Sequence, residues 1–163
     1  MDRRDRLLQL IHEAFGDVRL GDGVTLHEAT AIDDDATPAQ RQAARQLDTA
    51  KRWQDVPDEH IARNYSVFSF LDVKGHVFYA PAYMCWLLRT GYDTDSNSID
   101  AARSAFDPWG KHENGRHLKP HDMFSPAQCQ AIAQYLLYVY EVFDEEGWSQ
   151  VKEPLDRYWS QYL

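Results

Sequence analysis

Basic side chains are scarce in this sequence, which has 17 lysines and arginines against 26 aspartates and glutamates and a formal net charge of −9. Binding to nucleic acid without sequence preference needs a basic face that displaces counterions from phosphates, so this balance argues against a nucleic-acid-binding protein. The same charge agrees with high solubility and with a protein partner that is basic. We therefore expect a protein partner and no nucleic acid.

Long apolar runs are missing as well. The longest, VFYAPAYMCWLL, covers residues 77–88, whereas a membrane-spanning helix needs about 20 residues. The first ten residues, MDRRDRLLQL, contain no apolar core long enough for a signal peptide. These absences predict a cytoplasmic protein that has no membrane partner.

Cysteine is rare and unpaired in the sequence. Cys85 and Cys129 are the two cysteines, and they form no C-x-x-C motif. We expect two buried, reduced thiols without a catalytic role, because no local motif supplies a base that would activate either one. Glycine-rich phosphate loops and nucleophile elbows are also absent from the sequence, so nucleotide binding and serine hydrolase chemistry lack support.

The apolar run at 77–88 is the feature around which the rest of the chain is organised. Pro81 suits the first turn of a helix, and Arg89 and Gly91 stand where a final cation and a C-terminal glycine belong. A helix that is apolar on nearly all sides is buried on all sides. The sequence therefore predicts a central buried helix from Pro81 to Thr90.

A second buried helix is predicted from Pro126 to Glu145. Ser125-Pro126-Ala127-Gln128 forms a capping box with proline at the first helical position, and apolar residues dominate the rest of this segment. Thr37-Pro38-Ala39-Gln40 repeats this signal and predicts a helix to about Trp53, while Asp2 to Phe15 reads as amphipathic. We predict an all-α fold, a single compact domain over residues 1–163 with two buried helices wrapped by amphipathic ones and little or no strand.

Three stretches are less clearly patterned. Residues 67–79 fit a hairpin with its turn at 72–75, and they also fit a helix capped by Asp72 that meets the Pro81 helix at an angle. Residues 20–35 look like a loop with one short strand near Val24. Residues 106–124, which carry several glycines and prolines, predict a long surface loop.

Four segments together resemble a family of uncharacterised bacterial proteins, a domain of unknown function. They are WQDVP at 53–57, FLDVKGHVFYAPAYMCWLL at 70–88, FSPAQCQAIAQYLLYV at 124–139 and LDRYW at 155–159. The matching motifs are W-x-D-V-P, Y-x-P-A-Y and F-[ST]-x-x-Q. The resemblance favours a helix over a hairpin at 67–79, although Gly75 and His76 depart from the bulkier residues usual there. It implies a fold and no activity.

Metal-binding candidates occur in the loop at 112–122. His112, His117 and His121 lie within ten residues, and zinc takes histidine and carboxylate ligands. The spacing of His112 and His117 is one residue longer than the H-E-x-x-H signature requires, and Gly115 would interrupt a helix. Asp93, Asp95 and Asn97 match the start of a calcium loop, but Ser98 occupies its invariant glycine position. We expect solvated histidines and no bound cofactor.

Two acidic runs are the candidate partner-binding residues: Asp33, Asp34 and Asp35, and Asp144, Glu145 and Glu146. Adjacent acids create a field that attracts a basic partner. The leading hypothesis is a non-enzymatic protein-binding domain, for example an immunity-like protein that masks a basic partner. The alternatives are a metal-dependent enzyme that uses the 112–122 loop and a structural or accessory domain.

Overall fold

Helix α5 (Val73–Thr90) runs through the centre of the molecule in the computed structural model, which describes residues 1–143 and 148–163. Thirteen of its 18 residues are buried, so it is surrounded on all sides. Its first turn is capped by Asp72, whose Oδ1 accepts hydrogen bonds from the N–H groups of Gly75, at 2.8 Å, and Val24, at 3.0 Å. This cap begins the helix eight residues before Pro81.

The predicted helix start at Pro81 is therefore wrong, and so is the hairpin alternative for 67–79. A short 3₁₀ helix, Val67–Ser69, precedes the continuous helix α5. Pro81 lies inside the helix, where it removes the hydrogen bond to the carbonyl of Val77. Burial of the surrounding turns outweighs that local cost, since tertiary packing overrides intrinsic propensity.

Helix α8 (Pro126–Tyr138) is the second buried helix, as predicted. The Ser125 hydroxyl accepts the N–H of Gln128 at 3.2 Å, and the Gln128 side chain accepts the N–H of Ser125 at 2.9 Å. A π-helical turn, Val139–Phe143, continues it; the predicted end at Glu145 lies outside the described residues. Helix α1 (Arg3–Phe15) packs against α8 and α5 through a face that includes Leu7, Ile11 and Phe15.

Shorter helices surround this core in the described residues. They are α2 (Leu26–Asp33), α3 (Pro38–Arg45), α4 (Asp58–Arg63), α6 (Ser98–Ser104), α7 (Pro120–Met123) and α9 (Glu153–Arg157). Two more 3₁₀ helices, Trp53–Asp55 and Trp159–Tyr162, and a second π-helical turn, Trp148–Lys152, complete the shell. Helix α3 begins at the predicted capping box but ends at Arg45, well before Trp53.

Helix α2 corrects the prediction of a loop and short strand at 20–35. The N–H of Thr25 donates to Glu28 Oε1 at 3.2 Å, which is half of a capping box that starts the helix. Leu26 and Ala29 are then buried on its inner face. The sequence Thr25-x-x-Glu28 carries this signal, which the prediction overlooked.

A small antiparallel hairpin replaces part of the predicted loop at 106–124. Strands β1 (Lys111–Glu113) and β2 (Arg116–Leu118) pair so that His112 lies opposite His117. The turn is Asn114-Gly115, with φ values of 51° and 74°, and both positive angles fit the tight turn that Asn-Gly favours. The hairpin is small, and the all-α prediction is confirmed.

Cys85 and Cys129 are free and buried, as predicted. Burial raises the pKa of the Cys85 thiol to about 12, so this thiol stays protonated at neutral pH. None of the helices among the described residues is long and apolar enough to cross a membrane.

Candidate ligand-binding cleft

A cleft of about 520 Å³ opens between the start of α5, the segment after α6, the β1–β2 hairpin and α7. This volume lies in the range of about 300–1,000 Å³ that is typical of small-molecule sites. Five aromatic side chains form much of its wall, and one lysine and two histidines, Lys111, His76 and His112, also line it. The aromatic residues are Phe68, Phe106, Trp109, Phe124 and Trp159.

A tight turn after Phe106 brings the hairpin to the edge of the cleft. Asp107 Oδ1 accepts the N–H of Trp109 at 2.8 Å, and the Asp107 carbonyl accepts the N–H of Gly110 at 3.0 Å. Gly110 has φ of 83°, and a Cβ at this position would overlap the carbonyl of Leu118. Glycine is thus required where the turn meets β2.

His76 lies in the first turns of α5 and is 7% exposed. Its Nε2–H donates to the carbonyl of Ala105 at 2.8 Å, which assigns the ring proton to Nε2. Nδ1 is buried and has no hydrogen-bond partner. Burial, together with the nearby charge of Lys111, lowers the pKa of His76 to about 3. The ring is therefore neutral at physiological pH and offers a bare acceptor nitrogen.

Lys111 brings a positive charge to the cleft from β1. Its Nζ donates to the carbonyls of Phe68, at 2.8 Å, and Leu71, at 2.7 Å. Burial lowers the pKa of Lys111, while the carboxylates of Glu113 and Asp72 act in the opposite direction. An ammonium has three N–H donors, so two backbone bonds leave one for a further acceptor.

The aromatic wall is held by hydrogen bonds and ring contacts. The indole N–H of Trp159 donates to the carbonyl of Phe106 at 2.8 Å, and the two rings meet edge to face at 6.1 Å. The Phe68 ring centroid lies 4.8 Å from that of His76. Trp109 is 61% exposed at the rim, with Lys119 Nζ 5.2 Å above its ring. Buried aromatic rings that are held in place thus form the inner part of the cleft, and Trp109 is exposed at its rim.

The structure places the three candidate histidines in two locations. His112 and His117 stack across the hairpin with ring centroids 4.7 Å apart, and His112 lines the cleft. His121 lies on α7, where its Nδ1 is 3.0 Å from the hydroxyl of Tyr158. Within the described part of the chain, none of the three belongs to a group of converging metal-binding side chains.

The candidate partner-binding acids are only partly described. Asp33, Asp34 and Asp35 lie at the end of α2 and are all exposed, and Asp33 Oδ2 accepts a hydrogen bond from the hydroxyl of Ser66 at 2.7 Å. Asp144, Glu145 and Glu146 lie outside the described residues. The prediction of an acidic partner-binding surface thus stays a prediction, and the run at 33–35 is the part with known placement.

Sequence reasoning missed His76 and Lys111 as site residues. His76 stands as a single polar residue just before the apolar run, which signals a buried histidine but not the cavity that it faces. Lys111 is the residue before the candidate His112. Lys111 is partly buried because it lies on strand β1 of the hairpin. Neither side chain could be assigned to a common cleft without the tertiary arrangement.

Comparison with known proteins gives a family but no function. The sequence profile described as "Family of unknown function (DUF6714)" matches residues 3–163, which include every element that lines the cleft. Searches of curated proteins and of solved structures found no match. A function for this chain therefore has to be inferred from the geometry and chemistry of the cleft.

Proposed function

This chain belongs to the DUF6714 family of unknown function, and we propose that it binds a small planar organic acid in the aromatic cleft. The observation that carries the proposal is that His76, whose buried Nδ1 has no hydrogen-bond partner, lines the same cleft as Lys111. Such a ligand supplies a hydrogen-bond donor to the imidazole and an acceptor to the ammonium.

The unpaired nitrogen of His76 specifies a donor on the ligand. Leaving a buried acceptor unsatisfied costs about 1–3 kcal/mol, because the group has lost its bonds to water. A ligand O–H or N–H that reaches Nδ1 recovers part of this cost on binding. The Nε2–H remains committed to Ala105, so the imidazole accepts from the ligand and does not donate to it.

The partly buried ammonium of Lys111 specifies an acidic group. A charge-assisted hydrogen bond is roughly twice as strong as one between neutral groups, and a low local dielectric strengthens it further. The two backbone carbonyls fix the position of Nζ. A ligand carboxylate at the free N–H of Lys111 therefore meets a charge that is already in place.

The surrounding rings specify a planar body. Flat apolar groups pack on aromatic side chains in offset or edge-to-face arrangements. Phe68, which is half-buried, and Trp109, which is 61% exposed, present such surfaces in the cleft. A ligand with one or two fused rings buries its faces against them while its polar ends reach His76 and Lys111.

The low pKa of His76 favours a role in binding a ligand over a role as a general base. A general base works best with a pKa near the operating pH, whereas the pKa of His76 is about 3. The imidazole is thus a weak base and a stable acceptor throughout the physiological range. This agrees with the expectation of a non-enzymatic binding protein.

Three matched naphthalenes test the two polar contacts separately. The probes are 6-hydroxy-2-naphthoate, 2-naphthoate without the hydroxyl, and 2-naphthol without the carboxylate, each titrated by fluorescence at pH 7. We expect the hydroxynaphthoate to bind about tenfold or more tightly than either analogue, since each lost hydrogen bond costs about 1–2 kcal/mol. Equal affinities for all three probes, or no binding of any, would contradict the proposal.

A lysine variant pair locates the contact. Lys111→Met should abolish the advantage of 6-hydroxy-2-naphthoate over 2-naphthol, because the cationic partner of the carboxylate is gone. Lys51→Met removes an exposed lysine that does not line the aromatic cleft and should leave the advantage intact. If Lys111→Met still prefers 6-hydroxy-2-naphthoate over 2-naphthol, the carboxylate binds at a group other than Lys111.

Association with a basic protein partner is a second candidate function. The net charge of −9 and the acidic run of Asp33, Asp34 and Asp35 at the end of α2 support it. One example of such a function is that of an immunity-like domain that masks a basic partner. It uses the outer surface and does not compete with a ligand in the cleft.

A further inference from the structure

A second group of side chains converges where α2, the segment after α3 and α4 meet. His27, Asp48 and His60 each place one potential metal-binding atom within 4.8 Å of the others, and all three are partly buried. They line no part of the aromatic cleft. We infer that these three residues form a binding site for a divalent transition-metal ion of the zinc class, independently of the proposed function.

Asp48 and His27 are already aligned with each other. Asp48 Oδ2 accepts the backbone N–H of His27 at 2.8 Å, and Oδ1 lies 2.7 Å from His27 Nδ1. Donor atoms that share a tetrahedral zinc ion lie about 3.3–3.5 Å apart, given zinc–ligand distances of about 2.0–2.2 Å. An ion between these two atoms therefore requires them to separate by less than about 1 Å, with loss of the shared proton.

His60 completes the set from α4. Its ring meets that of His27 edge to face, with centroids 4.7 Å apart. Among the hydrogen bonds of the described residues, the His27 ring is held by Asp48, while none reaches the His60 ring. A structural role accounts for the His27–Asp48 pair, but it does not account for a third potential ligand whose ring nitrogens are uncommitted beside them.

The donor set selects the class of ion. Two imidazoles and one carboxylate suit zinc and its transition-metal neighbours, whereas calcium and magnesium take oxygen ligands almost exclusively. Three protein ligands leave at least one coordination position open. Asp48 and His60 also line a cleft of about 440 Å³ together with Tyr79, so the open position has room for water or a small anion.

The test uses tag-free, full-length protein that is treated with chelator and dialysed, with Zn²⁺ and Co²⁺ as the probes. Isothermal titration should give one Zn²⁺ per chain, and Co²⁺ should produce visible absorption from a site with nitrogen and oxygen ligands. We expect His27→Gln and His60→Gln each to weaken Zn²⁺ binding at least tenfold. Thermal melts of the metal-free variants test whether both are folded.

His112→Gln is the matched control, because it removes a histidine from the loop that the sequence made a metal candidate. It should bind Zn²⁺ as the wild-type protein does. If either cluster variant fails to fold, histidine ring resonances of the wild-type protein decide the matter. Paramagnetic Co²⁺ should broaden His27 and His60 and spare His112. The inference is overturned if the wild-type chain binds neither ion, if His60→Gln binds Zn²⁺ normally, or if only His112→Gln loses it.

Discussion

At the scale of single residues, His76 makes the stability of the protein depend on pH. Its pKa is about 3 in the folded protein, against a reference value of 6.5. Below pH 6.5 the unfolded chain therefore takes up a proton that the folded chain refuses, so stability is full above pH 6.5 and falls as the pH drops towards 3. At pH 5 the expected loss from this group is about 2 kcal/mol.

Urea unfolding at pH 7 and pH 5 measures this loss. His76→Gln keeps a donor near the position of Nε2 but has no titrating ring. Between these pH values the wild-type free energy of unfolding should fall by about 2 kcal/mol more than that of the variant. His12, whose pKa is also lowered by burial, is present in both proteins and cancels in the comparison. Equal pH dependence in the two proteins would show that His76 is protonated in the fold.

Two glycines of the hairpin give a second residue-scale prediction. Gly110 and Gly115 both have positive φ, but a Cβ at Gly110 would overlap the Leu118 carbonyl, whereas a Cβ at Gly115 has nothing within 4 Å. Gly115→Ala should cost about 1–2 kcal/mol, the penalty for a left-handed residue. Gly110→Ala should cost clearly more. Chemical unfolding followed by tryptophan fluorescence compares them, and equal costs would contradict the close approach.

Residue-scale prediction from sequence succeeded where local chemistry decides the outcome. The two cysteines are free and buried because they sit in apolar stretches. His112, a metal candidate from its neighbours in the chain, lines the cleft, and metal binding by it stays a prediction. His27, Asp48 and His60 could not be grouped, because their separations of 21 and 12 positions follow no local pattern. The tertiary fold brings them together from α2, the segment after α3, and α4.

At the scale of elements, the junction of α5 with the segment before α2 depends on Gly75. Glycine inside a helix costs about 1 kcal/mol relative to alanine. Here, however, a Cβ at Gly75 would lie 2.5 Å from the carbonyl of Val24, a backbone atom. Gly75→Ala should therefore destabilise the protein by about 1–3 kcal/mol, because overpacking exceeds the gain in propensity. Thermal unfolding that shows a more stable variant would refute this contact.

Element boundaries were predictable where caps are explicit in the sequence. The capping boxes at Thr37 and Ser125 begin α3 and α8 as predicted. The box at Thr25 and the Asn114-Gly115 turn carried equally physical signals that the prediction did not use. The prediction of a helix start at Pro81 failed, because a proline marks a helix start only when the preceding residues do not already form buried helical turns.

At the scale of the whole molecule, the excess of negative charge predicts how a basic partner would associate. Reversing Asp33, Asp34 and Asp35 to Lys raises the net charge from −9 to −3, as does reversing the dispersed exposed acids Glu13, Asp17 and Glu59. The clustered reversal should slow association with the natural partner more than the dispersed one. Added salt should reduce the difference, because the Debye length falls from about 10 Å at 0.1 M to about 3 Å at 1 M.

A partner captured with the wild-type protein and measured by surface plasmon resonance at both salt concentrations provides this test. Melting temperatures of the two charge variants should remain close to that of the wild-type protein, because surface substitutions change stability little. The prediction fails if the captured partner is acidic, or if the association rate depends neither on salt nor on which acids are reversed. In either case the excess of acidic residues would serve solubility alone.

The whole fold brings His76, whose Nδ1 is unpaired, and Lys111 to the lining of one cavity, where we propose that a single ligand contacts both side chains. Histidine ring ¹⁵N NMR at pH 7 tests this most directly, with and without saturating 6-hydroxy-2-naphthoate. We predict a neutral His76 protonated at Nε2 in both spectra, and an Nδ1 resonance that shifts upfield on binding as it accepts a hydrogen bond. An Nδ1 resonance that does not move in the saturated complex would contradict the proposed contact.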